Sequence, residues 1–114
     1  MEKYNKPCII IVIKNPEVKI LREILAGIEE EGLLAEVINS KSSDYLSETH
    51  NVSRLSKLGI GMGVYGNRVI LHFTKLRENN PVKDAIISGS DLKVARSIGN
   101  NAARLYKVMP LKDE

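Results

Sequence analysis

The chain carries one cysteine, two histidines and no cluster of basic residues, and each shortage removes a class of function. Cys8 alone cannot close an internal disulfide, which fits a reducing compartment and a thiol that packs as a small apolar group. Neither His50 nor His72 stands at metal-ligand spacing from another histidine or cysteine, so no zinc centre is expected. His72 reads as a partly buried strand residue rather than a base. The 17 lysines and arginines exceed the 14 acids by three, but they are scattered along the whole length. Without a basic run or an aromatic-interleaved patch, nucleic acid is not an expected partner. No serine sits in a nucleophile elbow and no Walker-type phosphate loop occurs, so no catalytic or cofactor-binding residue is assigned. The apolar run Cys8-Ile9-Ile10-Ile11-Val12-Ile13 is too short to cross a bilayer, and the N-terminus lacks a signal-peptide cleavage pattern. A soluble, cytoplasmic chain with no membrane partner is therefore expected. The sequon Asn51-Val52-Ser53 then carries no chemistry, because glycosylation needs secretion.

What is present suits one domain over residues 1–114, since 114 residues at 43% hydrophobic content support a single modest core. Residues 8–13 are a β-branched run of the kind covered on both faces, closed by Asn15-Pro16. A helix to about Glu31, stopped by Gly32, leads to a second strand over 33–38, and this succession argues for a parallel crossover. Residues 39–58 are polar, with Ser40, Ser42, Ser43 and Asp44 as caps and Tyr45, Leu46, Val52 and Leu55 as the apolar anchors of one short helix. From Gly59 to Val64, glycines alternate with Ile60, Met62 and Val64, which gives a strand with one glycine face that leaves room for something close to the backbone. Gly66-Asn67 fits a tight hairpin, and 68–73 returns antiparallel with Val69, Leu71 and Phe73 on one face. Asn79-Asn80-Pro81 breaks the chain before a last short strand at 85–87. Ser90-Asp91 caps a final helix whose inner face is Val94, Ala95, Ile98, Ala102 and Leu105, with Arg96, Asn100, Arg104 and Lys107 opposite. Gly99 inside it points to close packing. Met109-Pro110 ends it. The expected architecture is a three-layer α/β/α domain on a mixed, mostly parallel sheet of about five strands, one of them antiparallel.

Two features invite a functional reading. The first is Glu29-Glu30-Glu31, three carboxylates at the C-terminus of a helix, where each costs about 0.3–1 kcal/mol against the helix dipole. At about 100° per residue, Leu21, Ile24, Leu25 and Ile28 share one arc, while Glu23, Ala26, Gly27 and Glu30 share the other. Glu30 then points outward beside two small residues, which describes either a docking face with an acid in it or ordinary solvated surface before a helix stop. A lone outward carboxylate suits magnesium if a partner brings further oxygen ligands. The second is Gly61-Met62-Gly63-Val64-Tyr65-Gly66, which matches G-x-G-x-x-G. That motif needs a helix after the glycines, whereas Val69-Ile70-Leu71 reads as a strand, so the dinucleotide reading is rejected.

Two segments together resemble a known family. Gly27-Ile28-Glu29-Glu30-Glu31-Gly32 and Gly99-Asn100-Asn101-Ala102-Ala103-Arg104-Leu105 are similar to paired signatures of the small subunit of diol and glycerol dehydratase reactivating factors. Gly59-Ile60-Gly61, the strand Val69 to His72 and the ending Lys107-Val108-Met109-Pro110-Leu111 are similar as well. The resemblance implies an anticodon-binding-domain-like fold and a non-catalytic subunit of a chaperone-like complex of two large and two small subunits. The implied large subunit is an ATPase that alone carries ATP or ADP, and the complex releases damaged cobalamin by exchanging subunits with an adenosylcobalamin-dependent dehydratase, whose large subunit is a transient partner. The resemblance further implies an interfacial magnesium ligated by Glu30, with Glu23, Ala26, Gly27, Glu29, Glu31, Asn100 and Arg104 around it at the partner interface. It leaves open the client, glycerol or propanediol dehydratase, residence in a bacterial microcompartment, and the role of loop 39–57, which departs most from the family. The medium subunit of the dehydratase itself shares these signatures. It is the alternative, set apart by extra segments at both ends that this chain is expected to lack. An unrelated α/β domain that pairs with itself through the glycine strand face is the third reading.

Overall fold

The computed structural model describes residues 6–108. Five strands and three helices follow one another as β1 Cys8–Lys14, α1 Val18–Glu30, β2 Leu34–Asn39, α2 Tyr45–Leu55, β3 Ile60–Tyr65, β4 Arg68–Phe73, β5 Lys83–Ile86 and α3 Leu92–Val108. The sheet order is β2-β1-β3-β4-β5. Parallel pairing joins β1 to both β2 and β3, and antiparallel pairing joins β4 to β3 and to β5, so β4 is the one reversed strand. The expected five-stranded mixed sheet is thus observed.

Period-two alternation divides each central strand between two cores. Ile9 and Ile11 of β1, Ile60, Met62 and Val64 of β3, and Val69, Leu71 and Phe73 of β4 pack with α1 and α3. Cys8, Ile10 and Val12 of β1, Tyr65 of β3 and Ile70 of β4 pack with Val52 of α2, and Tyr45 and Leu46 pack against this second cluster. Each fully buried isoleucine contributes about 1.5–3 kcal/mol, which is why an all-apolar run such as 8–12 settles at the centre of the sheet. Burial raises the Cys8 thiol above its ordinary range, with Glu36 adding to the effect, so the thiol packs as a neutral group.

Turn chemistry sets the corners. Asn15 takes φ +44 before Pro16, Gly32 takes φ +84 after α1, and Gly66 takes φ +63 in the β3–β4 hairpin. The Asp44 side chain accepts from Ser47 N–H and caps α2. That helix runs three turns, more regular than its polar composition suggests, because Thr49, Val52 and Ser53 are buried against the sheet. The last strand spans Lys83–Ile86, beginning two residues ahead of the Ala85-Ile86-Ile87 run that signals it, with Ile87 buried just beyond its end. The predicted end of α3 at Met109-Pro110 lies outside the described residues.

The glycine face of β3 is filled from within the chain. A β-carbon on Gly61 would lie 2.5 Å from Ser53 N and 2.9 Å from Thr49 O, so α2 rests directly on the strand backbone. Self-pairing through this face is thereby excluded. The turn after Gly66 leads into β4 and no helix follows, which disposes of the dinucleotide motif. No helix among the described residues is long and apolar enough to cross a membrane.

Candidate functional site: the seam between α1 and α3

The two helices cross at their glycines. A β-carbon on Gly27 would lie 2.9 Å from Asn100 N and 3.2 Å from the Gly99 carbonyl carbon, and one on Gly99 would lie 3.0 Å from the Ile24 carbonyl carbon. Gly99 therefore serves close packing, as its place in the helix predicts. Gly27 corrects an expectation. It is buried, and the surface its small size admits is α3 of the same chain rather than a partner. The buried arc of α1 is Ile20, Ile24, Gly27 and Ile28, with Leu21 and Leu25 half-buried at its flank. The helix is thus turned toward Gly27 relative to the arc read from apolar residues alone, because contact with α3 counts a glycine as buried surface.

With the backbones this close, polar side chains along both helices meet at the rim. Arg96 Nε donates to Glu23 Oε1 at 2.9 Å, and its Nη1 reaches Glu30 Oε2 at 3.4 Å. Asn100 Nδ2 donates to the Gly27 carbonyl and to Glu30 Oε1, both at 2.9 Å. Arg104 Nε donates to Glu31 Oε2 at 3.1 Å, and Lys107 Nζ donates to the Glu31 carbonyl at 3.1 Å and to its Oε1 at 3.2 Å. Part of what the acidic triplet needs is therefore supplied by α3, whose cations offset the unfavourable charges at the end of α1. The Arg104 and Lys107 hydrogen bonds, in that order, hold the Glu31 carboxyl below the usual carboxylate range.

The seven positions predicted around the site divide accordingly. Glu23, Glu31, Asn100 and Arg104 are brought together with Glu30 along one seam, and each has a partner inside the chain. Ala26 is half-buried and Glu29 is exposed. The Glu30 side chain is 52% exposed, against 15% for Glu31 and 28% for Glu23, which makes it the most open acid bound into the seam. Sequence reasoning left Arg96 out of the site although, among the described residues, it is the one cation that pairs with both Glu23 and Glu30. The signal was available: Arg96, Asn100, Arg104 and Lys107 form one stripe at helical spacing, complementary in charge to the acidic face of α1.

Elsewhere, polar side chains are committed to structure. His72 is buried, accepts from Phe73 N–H at Nδ1 and bonds the Glu78 carbonyl from Nε2 at 2.9 Å, while His50 packs on it with ring centroids 4.6 Å apart. It is more deeply buried than expected, and both ring nitrogens are engaged by backbone. Under α2, the Tyr65 hydroxyl meets Thr49 Oγ1 at 3.1 Å and Glu48 Oε1 at 3.0 Å, and Glu48 also accepts from Ser40 Oγ and Lys41 N–H, both at 2.7 Å. This network ties the β2–α2 loop to the sheet and has no sequence signature beyond a tyrosine beside glycines. No group of three or more His, Cys, Asp or Glu converges as a metal cage among the described residues.

The two-faced sheet, the glycine-mediated helix crossing and the charged seam together define the fold and its candidate site. Residues 6–112 match the model of the dehydratase medium subunit family, and the chain belongs to that family. It is 31% identical over 107 residues to the propanediol dehydratase-reactivating factor small subunit of Citrobacter freundii, covering 94% of this chain and 91% of that protein. The corresponding small subunit of Salmonella typhimurium is 29% identical over 110 residues, covering 96% and 94% of the two chains. A solved structure of diol dehydratase-reactivating factor complexed with ADP and Mg2+ contains a chain that superposes with a TM-score of 0.82 at 28% identity, covering 96% of this chain and all of that one. A glycerol dehydratase reactivase chain shares the fold, with a TM-score of 0.79 at 24% identity over 95% of this chain and 98% of that one.

Proposed function

We propose that this chain is the non-catalytic small subunit of an ATP-dependent dehydratase-reactivating complex, and that it contributes one carboxylate, Glu30, to a magnesium ion at the interface with a large ATPase-like subunit. The small-subunit role is supported by the likeness to reactivating-factor small subunits over nearly the whole length. The observation that carries the site is the state of Glu30: among the acids of the seam it alone combines half exposure with a fixed orientation.

The donor set fits that role. Magnesium takes one or two protein carboxylates and completes an octahedron with water or other oxygens. Here one oxygen of Glu30 is held by a neutral amide and the other touches a guanidinium only at 3.4 Å, so lone pairs remain on both. When bound, the ion would link this carboxylate to oxygen ligands of the partner. Of the neighbouring acids, Glu23 pairs with Arg96 at 2.9 Å and Glu31 with Arg104 and Lys107. Glu30, with its longer contact to Arg96, is thus the least compensated carboxylate of the seam and a single ligand rather than a cage. In this reading the complex has two large and two small subunits in the cytoplasm or a microcompartment, ATP and ADP stay on the large subunit, and the small subunit exchanges with a dehydratase medium subunit so that damaged cobalamin leaves.

Glu30→Gln keeps the fold and weakens magnesium-dependent association with the large subunit; association unchanged across a magnesium titration would overturn the metal assignment. The family description itself favours a second reading, a dehydratase medium subunit. Reconstitution separates the two. If the purified chain restores turnover to dehydratase large and small subunits without ATP, it is the enzyme component.

A further inference from the structure

Charge compensation along the seam is uneven, and the unevenness has a direction. Arg96 reaches two carboxylates at once, at 2.9 Å to Glu23 and at 3.4 Å to Glu30. The first is a charge-assisted hydrogen bond of ordinary length; the second is long for one. The other oxygen of Glu30 is held by the Asn100 amide, which fixes a carboxylate without cancelling its charge. The same amide nitrogen is anchored on the Gly27 carbonyl at the helix crossing, so Asn100 has little freedom to turn away.

We propose that Asn100 and Glu23 are positioning residues for Glu30: Asn100 fixes the carboxylate through Oε1, while Glu23 draws Arg96 off Oε2 and leaves that oxygen to face a divalent cation at the partner surface. The inference rests on the reading of Glu30 as the metal-facing residue. Within it, Arg96 is a resident competitor held in check by Glu23. Removing the Arg96 charge frees Oε2. Removing the Glu23 charge leaves Arg96 with Glu30 as its remaining acid and turns it onto that oxygen. The two changes therefore act with opposite sign, which a simple loss of helix packing does not produce.

The test is a magnesium titration of the association between the full chain and the large subunit, followed by sedimentation, with circular dichroism on each variant. Arg96→Gln lowers the magnesium midpoint about threefold and Glu23→Gln raises it about threefold, the scale of an exposed ion pair. The double variant matches Arg96→Gln alone, because Glu23 acts through Arg96. Arg96→Lys, which keeps the charge, stays near the parent chain, and Asn100→Ala raises the midpoint with helicity unchanged. Should Glu23→Gln and Arg96→Gln shift the midpoint in the same direction, or add independently in the double variant, while Glu30→Gln still removes the magnesium dependence, the positioning role is overturned and the metal assignment stands. A magnesium dependence that survives Glu30→Gln removes both.

Discussion

Gly27 and Gly99 meet where α1 crosses α3, with so little space that a β-carbon on Gly27 would come within 3.2 Å of the Gly99 carbonyl carbon. The atoms in the way are backbone, which cannot rotate aside. Everything that arranges Glu30 depends on this approach, because Asn100 spans from the Gly27 carbonyl to the Glu30 carboxylate.

Gly27→Ala and Gly99→Ala are each expected to destabilise the fold by about 1–3 kcal/mol through overpacking, despite a helix-propensity gain of up to about 1 kcal/mol. Gly32→Ala is the contrast: no atom lies within 4 Å of the added carbon, and only the φ of +84 opposes it, at about 1–2 kcal/mol. Urea unfolding of the three variants checks the magnitudes. No loss at Gly27 or Gly99 would mean that the two helices move apart to admit the added carbon and that contact does not govern the crossing.

On the other face of the sheet, Gly61→Ala drives a carbon into the backbone of α2 at Ser53 and Thr49. The expected cost is again about 1–3 kcal/mol. Because α2 takes the strain, amide exchange should quicken across 45–55 while α1 and α3 keep their protection.

Alkaline pH should weaken the fold through Tyr65. Burial raises its phenol well above the ordinary value near ~10, opposed by the Thr49 hydrogen bond and reinforced by the Glu48 carboxylate. The folded state holds the proton more tightly than the unfolded chain, so this contribution is intact below pH ~10 and declines as the pH rises beyond it. Tyr65→Phe should flatten that alkaline decline and lose about 0.5–1.5 kcal/mol at neutral pH for the missing hydrogen bonds. Thermal melts from pH 7 upward read both effects.

Acid works on the opposite kind of group. The Glu31 carboxyl is lowered by Arg104 and Lys107, and that of Asp84 by Arg68, whose guanidinium it meets at 2.9 and 2.7 Å. Both contributions are present above the ordinary carboxylate range and are lost as the pH falls below about 4. Glu31→Gln should remove part of the acid-induced loss and part of its salt sensitivity, leaving the Asp84 share in place. An acid limb identical to that of the parent chain would show that the Glu31 pairs add nothing to stability.

Strand alternation and turn residues made the sheet legible. Cys8 to Ile13, the glycine alternation of β3 and the Gly66-Asn67 hairpin each specify element, register and face by local rules. The outward position of Glu30 was legible too, since it follows from helical spacing. What the sequence hid was what covers each surface. Gly27 and Gly61 both marked a close approach, but in both cases the approaching backbone was the chain's own, because a glycine records that room is needed and not whose atoms fill it. The polar stripe that holds Arg96 was legible at helical spacing, but its pairing was not, because its two acidic partners lie more than sixty positions earlier.

The sheet carries unequal loads. Among the described residues, sixteen buried apolar side chains knit α1 and α3 to one side, while six hold α2 to the other. Partial opening should therefore begin at α2, since local openings follow the thinnest packing. Such an opening leaves the opposite flank of the sheet closed, with the hydrogen bonds from Asn100 to Gly27 and Glu30 unbroken.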